Sequence, residues 1–186
     1  MCGIIGAFWK AQPEDHEVRL GQSLNELRHR GPNDFGTWLH NEQVGTITLG
    51  HTRLSIIDLS AAGHQPMRSL DGRFSLVFNG EIYNYCELRE ELRSLGHVFH
   101  TESDTEVLLT SWAEWGRNSL SKLRGMFAFV IFDKHAKTLT CVRDAFGIKP
   151  LYYQIGDSEF IFGSEISALN ILIGKTKKLN LQHAYE

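Results

Sequence analysis

Residues 126–132 read Met126-Phe127-Ala128-Phe129-Val130-Ile131-Phe132, and this stretch decides the fold. Successive side chains of a β-strand point to opposite faces, so both faces of this strand are apolar. A strand of this kind has to be covered on both sides. The sequence therefore predicts a layered structure with this strand inside it.

Outward from this strand, apolar patterns predict further strands in both directions along the chain. They fall at residues 3–9, 35–40, 44–49, 74–78, 139–142, 151–155 and 159–162. Helices are predicted over 12–28, 84–96 and 166–171 and from residue 103 onward, with capping-box spacings at Asn84 and Ser103. Runs of strands separated by a pair of helices indicate an α+β domain of stacked sheets flanked by helices.

The composition bounds the class of protein. A chain of 186 residues fits one domain, and a net charge of −3 without a Lys/Arg cluster disfavours nucleic acids and acidic membranes as partners. No apolar run is long enough for a membrane helix and no signal peptide is apparent, so we expect a cytoplasmic protein. The three cysteines are widely spaced, which argues against disulfides, and no Cys/His set has zinc spacing, so no metal site is expected.

Cys2 directly follows the initiator methionine. Aminopeptidases generally remove methionine before a small residue, which would give Cys2 both a thiol and a free α-amino group. The α-amino pKa of about 7.7–8.0 leaves part of that group unprotonated near neutral pH, so it can act as a base, as in N-terminal threonine nucleophiles. The alternative is a small buried side chain at the start of an inner strand.

Thiol attack on an amide also needs donors for the oxyanion and groups that hold the substrate. Asn79-Gly80, at the end of a predicted strand, offers a side-chain and a backbone N–H, or else forms an ordinary hairpin turn. Arg53 has the fork geometry for a carboxylate, and Asp104 in the first turn of a helix can face an ammonium. Together these two fit a free amino acid, whereas each alone is also typical of a surface ion pair or a helix-dipole interaction.

Eight segments of the chain carry a family resemblance: MCGIIG, LRHRGPNDFG, HTRLSIID, FNGEIYNY, ESDTEVLL, LRGMFAFVIFD, RDAFGIKPLYY and FGSEISAL. In this order, from residue 2 to about residue 169, they resemble the class II glutamine amidotransferase domain, an N-terminal-nucleophile hydrolase. They are most similar to the glutaminase domain of glutamine-hydrolysing asparagine synthetases. The resemblance implies a four-layer αββα sandwich of two mostly antiparallel sheets flanked by helices, with a type 2 amidotransferase domain over residues 2–186.

The resemblance also implies a role for each matched residue. Cys2 is the nucleophile and its α-amino group the base, while Asn79 and Gly80 form the oxyanion hole. The thiolate attacks the L-glutamine carboxamide, ammonia leaves, and water hydrolyses the glutamyl thioester. The implied glutamine-binding residues are Arg53 for the α-carboxylate, Glu81 and Asp104 for the α-ammonium, and the lining segment Leu54, Ser55, Ile56 and Ile57, together with Asn79 and Gly80.

Two departures from the family pattern bear on the ammonia acceptor. The family commonly has Asp after the RGP turn, where this chain has Asn33 followed by Asp34; asparagine makes the same local bonds, so we expect activity to be kept. The family's ATP-dependent synthetase domain is absent, and residues 181–186 read as a helix cut short, which suggests a fragment of a larger enzyme. ATP and Mg²⁺ are expected only in that missing domain, and this domain needs no cofactor.

Several alternatives stay open at this point. The ammonia would go to a synthetase domain or subunit for asparagine synthesis from aspartate, or to another acceptor, such as a sugar in surface-polysaccharide synthesis. A catalytically silent regulatory module is a second possibility, favoured if Met1 is retained. A self-cleaving amidase is disfavoured because no propeptide precedes Cys2. Apolar surface around the GIKP segment is compatible with a homodimer.

Overall fold

Two antiparallel sheets stack face to face in the computed structural model of the chain, which describes residues 1–174. The first sheet contains β1 (Gly3–Trp9), β2 (Asp34–Glu42), β3 (Gly45–Arg53), β8 (Tyr152–Ile155) and β9 (Glu159–Gly163), in the order β2-β3-β1-β9-β8. The second contains β4 (Met67–Arg68), β5 (Phe74–Ile82), β6 (Gly125–Asp133) and β7 (Thr138–Arg143), in the order β4-β5-β6-β7. The pairs of neighbouring strands are antiparallel throughout these two sheets.

Helices cover the outer face of each sheet. Helices α1 (His16–Glu26) and α4 (Ile166–Ile173) share one apolar cluster with β1 and β9. Helices α2 (Tyr85–Ser94) and α3 (Asp104–Trp115) share another with β5 and β6. A third cluster fills the space between the sheets. The predicted αββα layering is confirmed.

Strand β6 shows why these residues produce this fold. Phe127, Phe129 and Ile131 face the layer of α2 and α3. The alternate residues Ala128 and Val130 face the other sheet and are fully buried, as is most of Phe132. Both apolar faces predicted for this strand are therefore covered, one by helices and one by a sheet.

The predicted end of β5 was wrong. The strand continues through Asn79 and Gly80 to Ile82, which pairs with Gly125 on β6. The Asn-Gly pair therefore forms no hairpin turn, because pairing along the full length of β6 outweighs the local turn preference. Strand β3 likewise extends further than predicted, so Arg53 is its last residue.

Helix boundaries differ from the predictions by a few residues. Helix α1 is shorter than the predicted 12–28. The Asn84 side chain makes no cap; instead it donates to Lys122 O and accepts from Arg124 N, so the capping box predicted there was wrong. Ser103 does cap α3, accepting from Thr105 N at 3.0 Å. Glu106, however, accepts from His100 N and Thr101 N and not from Ser103 N, so the second half of that capping box was wrong. Along residues 1–174, no helix is both long and apolar enough to cross a membrane. The helix expected at 181–186 lies outside the described residues.

Candidate active site

The backbone around Cys2 is fixed from three directions. Gly3 pairs with Thr52 on β3, Arg30 Nε donates to Cys2 O at 3.0 Å, and Ile4 N donates to the Ser164 hydroxyl at 2.9 Å. Arg30 is in turn held by the Glu165 carboxylate, 2.8 Å from its Nη1. The candidate nucleophile therefore sits at the end of a strand that cannot shift along its neighbours.

The Cys2 thiol faces the backbone of Leu54. Leu54 N donates to Sγ at 3.4 Å, and Sγ lies 3.8 Å from Leu54 O. Burial raises the pKa of the thiol above its ordinary value, while the Leu54 N–H and the neighbouring α-amino group act in the opposite direction. The resting residue is therefore a thiol near neutral pH, and it needs a base to become a nucleophile.

Met1 occupies the position of the N-terminal amine in this chain and lines the pocket beside Cys2. Burial lowers the pKa of its amino group, with further lowering from the charges of Arg30 and Lys149. While Met1 is present, the Cys2 nitrogen is an amide and has no basic lone pair. Use of the Cys2 α-amino group as a base therefore requires that Met1 be removed.

Asn79 presents an amide without partners to the same pocket. Its residue is 1% exposed, and neither Oδ1 nor Nδ2 has a hydrogen-bond partner within the described part of the chain. An unsatisfied buried amide costs about 1–3 kcal/mol, so it points to a ligand that supplies the missing bonds. The adjacent Gly80 lies on β5 where a Cβ would come 2.4 Å from Met126 O, so a larger residue does not fit.

Arg53 is buried rather than part of a surface ion pair. It is 7% exposed; Nη1 donates to Ser60 O at 2.7 Å and Nη2 to Asp58 O. No carboxylate lies within ion-pair distance of it among residues 1–174. Gly63 approaches it so closely that a Cβ there would lie 2.1 Å from Nη2. The guanidinium therefore stands in the pocket wall, held by the loop that follows β3.

Asp104 lies just behind the wall that contains Glu81. It is 5% exposed, and its Oδ2 accepts from Ile82 N at 3.0 Å. Burial raises its pKa to about 6, and the nearby Glu81 carboxylate adds to that rise. Two acidic groups at the end of β5 therefore create a place where an ammonium group is favoured.

These elements surround one pocket of about 140 Å³ at the end of the sheet sandwich. The predicted site residues that line it are Cys2, Arg53, Leu54, Ile56, Ile57, Asn79, Gly80 and Glu81. Ser55 instead lines a neighbouring cleft with Asn33. Asp104 does not line the pocket itself, although its chain neighbours Ser103 and Thr105 do. The structure thus brings together Cys2, which directly precedes β1, with residues from β3, β5 and the start of α3.

Gln65 and Lys149 are buried polar residues of this pocket that sequence reasoning missed. Gln65 Oε1 accepts from Phe78 N at 2.7 Å, and its Nε2 donates to Thr105 Oγ1 at 3.3 Å, so it ties β5 to α3 next to Asn79. Lys149, in the GIKP segment, lines the pocket and is 4% exposed. A lone glutamine or lysine in a loop carries no spacing signal that would have singled it out.

Residues 1–174 contain no cluster of His, Cys, Asp and Glu suited to a metal ion.

The fold, with the inner strand β1 at the start of the chain, is the four-layer αββα fold of the N-terminal-nucleophile hydrolases. A solved structure of glutamine phosphoribosylpyrophosphate amidotransferase from Bacillus subtilis superposes with a TM-score of 0.73 at 24% identity, over 92% of this chain and 43% of that one. The family model for the glutamine amidotransferase domain matches residues 1–185. The chain belongs to this glutamine amidotransferase family.

Two curated relatives that the chain resembles are named asparagine synthetases. It is 47% identical over 174 residues to asparagine synthetase [glutamine-hydrolyzing] 1 of Bacillus subtilis, covering 92% of this chain and 27% of the relative. It is 43% identical over 186 residues to a putative asparagine synthetase [glutamine-hydrolyzing] of Mycobacterium tuberculosis, covering 93% of this chain and 28% of the relative. The chain therefore spans little more than a quarter of the length of these relatives.

Proposed function

We propose that this domain hydrolyses L-glutamine to glutamate and ammonia through a glutamyl thioester on Cys2. The observation that carries the proposal is the Asn79 amide, buried without a partner in the wall that also contains the Cys2 thiol. A carboxamide oxygen that becomes negatively charged would accept from Asn79 Nδ2 and from the Gly80 N–H. Donors placed in advance around a developing oxyanion are typically worth about 10²–10³ in rate each.

The reaction begins once Met1 has been removed. The Cys2 α-amino group takes the thiol proton, and the thiolate attacks the carboxamide carbon to give a tetrahedral intermediate. The protonated α-amino group returns the proton to the nitrogen, the C–N bond breaks, and ammonia leaves. Water, deprotonated by the same amine, then attacks the thioester, and the C–S bond breaks to release glutamate and restore the thiol.

The charges of the pocket suit glutamine at its other end. Arg53 would pair with the α-carboxylate in a charge-assisted contact. Glu81 and Asp104 would face the α-ammonium, and the pKa of about 6 leaves Asp104 ionised at pH 7–8. The segment Leu54–Ile57, with Ile56 and Ile57 in the pocket wall, would cover the aliphatic part of the substrate.

We further propose that the ammonia serves ATP-dependent synthesis of asparagine from aspartate on a synthetase domain or subunit, where ATP and Mg²⁺ would bind. The support is the name shared by the curated relatives. Asn33 does not weaken this proposal, since its Oδ1 accepts from Ser55 N at 3.0 Å, a bond that Asp makes equally well. Delivery to another acceptor is the alternative, because acceptor chemistry lies outside this domain.

A silent regulatory module is the other candidate, and Met1 decides between the two. The test is an intact-mass spectrum before and after exposure to 6-diazo-5-oxo-L-norleucine, with glutamate release measured on the same sample. We expect loss of Met1, one adduct located on Cys2, and glutamate release that the adduct abolishes. A processed chain that forms no adduct and releases no glutamate would overturn the proposal.

A further inference from the structure

Lys149 is a largely buried residue whose ammonium has no assigned role. The residue is 4% exposed and lines the pocket with Cys2 and Asn79. Neither a hydrogen bond nor an ion pair engages its Nζ within residues 1–174. The side chain is therefore held in the pocket wall with its ammonium donors unpaired among these residues.

Hydrogen bonds fix the backbone of the loop that carries Lys149. The Asp144 carboxylate accepts from the backbone N–H groups of Phe146, Ile148 and Lys149 at 3.1, 2.9 and 3.0 Å. Arg143 Nε donates to Lys149 O at 2.7 Å. These bonds therefore fix the backbone from which the Lys149 side chain extends.

The same loop is bonded to the strand that backs the oxyanion hole. Asp144 N donates to Phe127 O at 2.8 Å, and Phe127 N donates to Asp144 Oδ2 at 3.2 Å. Phe127 is the residue paired with Gly80 across β5 and β6. Lys149 is thus fixed relative to both Gly80 and the pocket in which Cys2 lies.

Other charged groups face this end of the pocket from each element around it. Arg30 forms an ion pair with the Glu165 carboxylate. Arg53 donates hydrogen bonds to two backbone carbonyls of the loop that follows β3. Glu81 and Asp104 contribute negative charge from β5 and α3. Lys149 adds a further cation to the pocket wall, and its Nζ has no hydrogen-bond or ion-pair partner among residues 1–174.

We propose that Lys149 is a positioning residue that keeps the α-amino group of the processed Cys2 in its free-base form and favours the Cys2 thiolate. A nearby positive charge disfavours protonation of an amine and favours ionisation of a thiol. In the unprocessed chain, burial lowers the pKa of the Met1 amine, and the charges of Arg30 and Lys149 lower it further. The inference rests on the proposed function, in which that amine is the base.

The test uses Lys149→Met, which keeps the length but removes the charge, and Lys149→Arg, which keeps the charge. Lys134→Met is the matched control, because Lys134 is exposed and does not line the pocket. Met1 removal is confirmed by mass for each variant. The rate of Cys2 alkylation by iodoacetamide and kcat/KM for glutamate release are then measured as functions of pH. We expect Lys149→Met to move the acidic limb of both profiles up by about one pH unit, and the limbs of the other two variants to stay with the wild type.

A Lys149→Met profile that superposes on the wild type would refute the inference, even if kcat falls. Alkylation does not depend on glutamine turnover, so the two proposals fail separately. A shifted alkylation profile without glutamate release by the wild type would sustain this inference and overturn the proposed function. If Lys149→Met fails to show a cooperative thermal transition, Lys149→Gln takes its place with the same expected shift.

Discussion

Replacing Asp104 with Asn should stabilise the ligand-free protein at alkaline pH. The folded chain holds the Asp104 proton with a pKa of about 6, against the ordinary 3.8. Because the folded state binds this proton more tightly than the unfolded state, the free energy of unfolding falls as pH rises from 3.8 to about 6, and the cost is fully present above that range. About two pH units at roughly 1.4 kcal/mol each give a ceiling of about 3 kcal/mol. Asparagine removes the charge and keeps an oxygen for Ile82 N.

Urea unfolding of wild type and Asp104→Asn between about pH 4 and pH 8 measures this difference. We expect the two proteins to be similar in stability near pH 4 and the variant to be more stable by about 1–3 kcal/mol near pH 8. Asp133→Asn is the control of opposite sign, because the Arg73 guanidinium holds the pKa of Asp133 below its ordinary value. That variant should lose stability at pH 8. A gain in Asp104→Asn that is the same at both pH values would refute the electrostatic reasoning.

The same substitution should weaken glutamine binding. An ionised Asp104 destabilises the empty pocket, and a substrate ammonium beside it would relieve that cost. We therefore expect Asp104→Asn to raise KM for glutamine while its thermal stability increases. An unchanged KM would remove Asp104 from the ammonium site.

The remaining predictions concern three other positions of the pocket. Cys2→Ala should reduce glutamate release to background and keep a cooperative thermal melt; release at the wild-type rate would contradict the thioester mechanism. Arg53→Ala should raise KM for glutamine roughly 10–100-fold, the value of a charge-assisted contact, and a normal KM in steady-state kinetics would exclude Arg53 from the carboxylate role. Gly80→Ala should destabilise the fold by about 1–3 kcal/mol in urea titrations, because backbone atoms of β6 lie 2.4 and 2.7 Å from the added Cβ. Gly21→Ala is the control, because no atom lies within 4 Å of the added Cβ, and it should be neutral or stabilising. Equal stability of the two variants would show that β5 and β6 separate enough to accommodate the Cβ at residue 80.

The sequence was sufficient for the layers because their signal is local. The alternation in residues 126–132 predicts two buried faces without knowledge of what covers them, and both are covered. Helix starts were less predictable, since Asn84 has a choice of partners. Its side chain forms hydrogen bonds with the backbone of Lys122 and Arg124, and the sequence around Asn84 does not predict these distant partners.

The site was predictable where the chemistry is unusual for a residue and hidden where it depends on tertiary contacts. An N-terminal cysteine or a matched family segment is visible along the chain, and the structure gathers most of these residues in one pocket. The dipeptide Asn79-Gly80 is compatible with a hairpin turn and with an inner strand, and its pairing with β6 determines that it forms a strand. Gln65 and Lys149 are recognised as site residues only because they are buried in the pocket wall. The burial of a single loop residue cannot be predicted from its sequence neighbours.

The position of β1 between β3 and β9 sets an order of events during synthesis. Ile4 leaves the ribosome early, but its hydroxyl partner Ser164 follows 160 residues later. At about 5–20 residues per second this delay is on the order of ten to thirty seconds. During that interval the N-terminus is accessible to an aminopeptidase while one edge of its strand remains unpaired. A nascent chain that stops before β9 would therefore carry Asn79 and Gly80 and still lack the Ser164 bond that holds Ile4 close to Cys2.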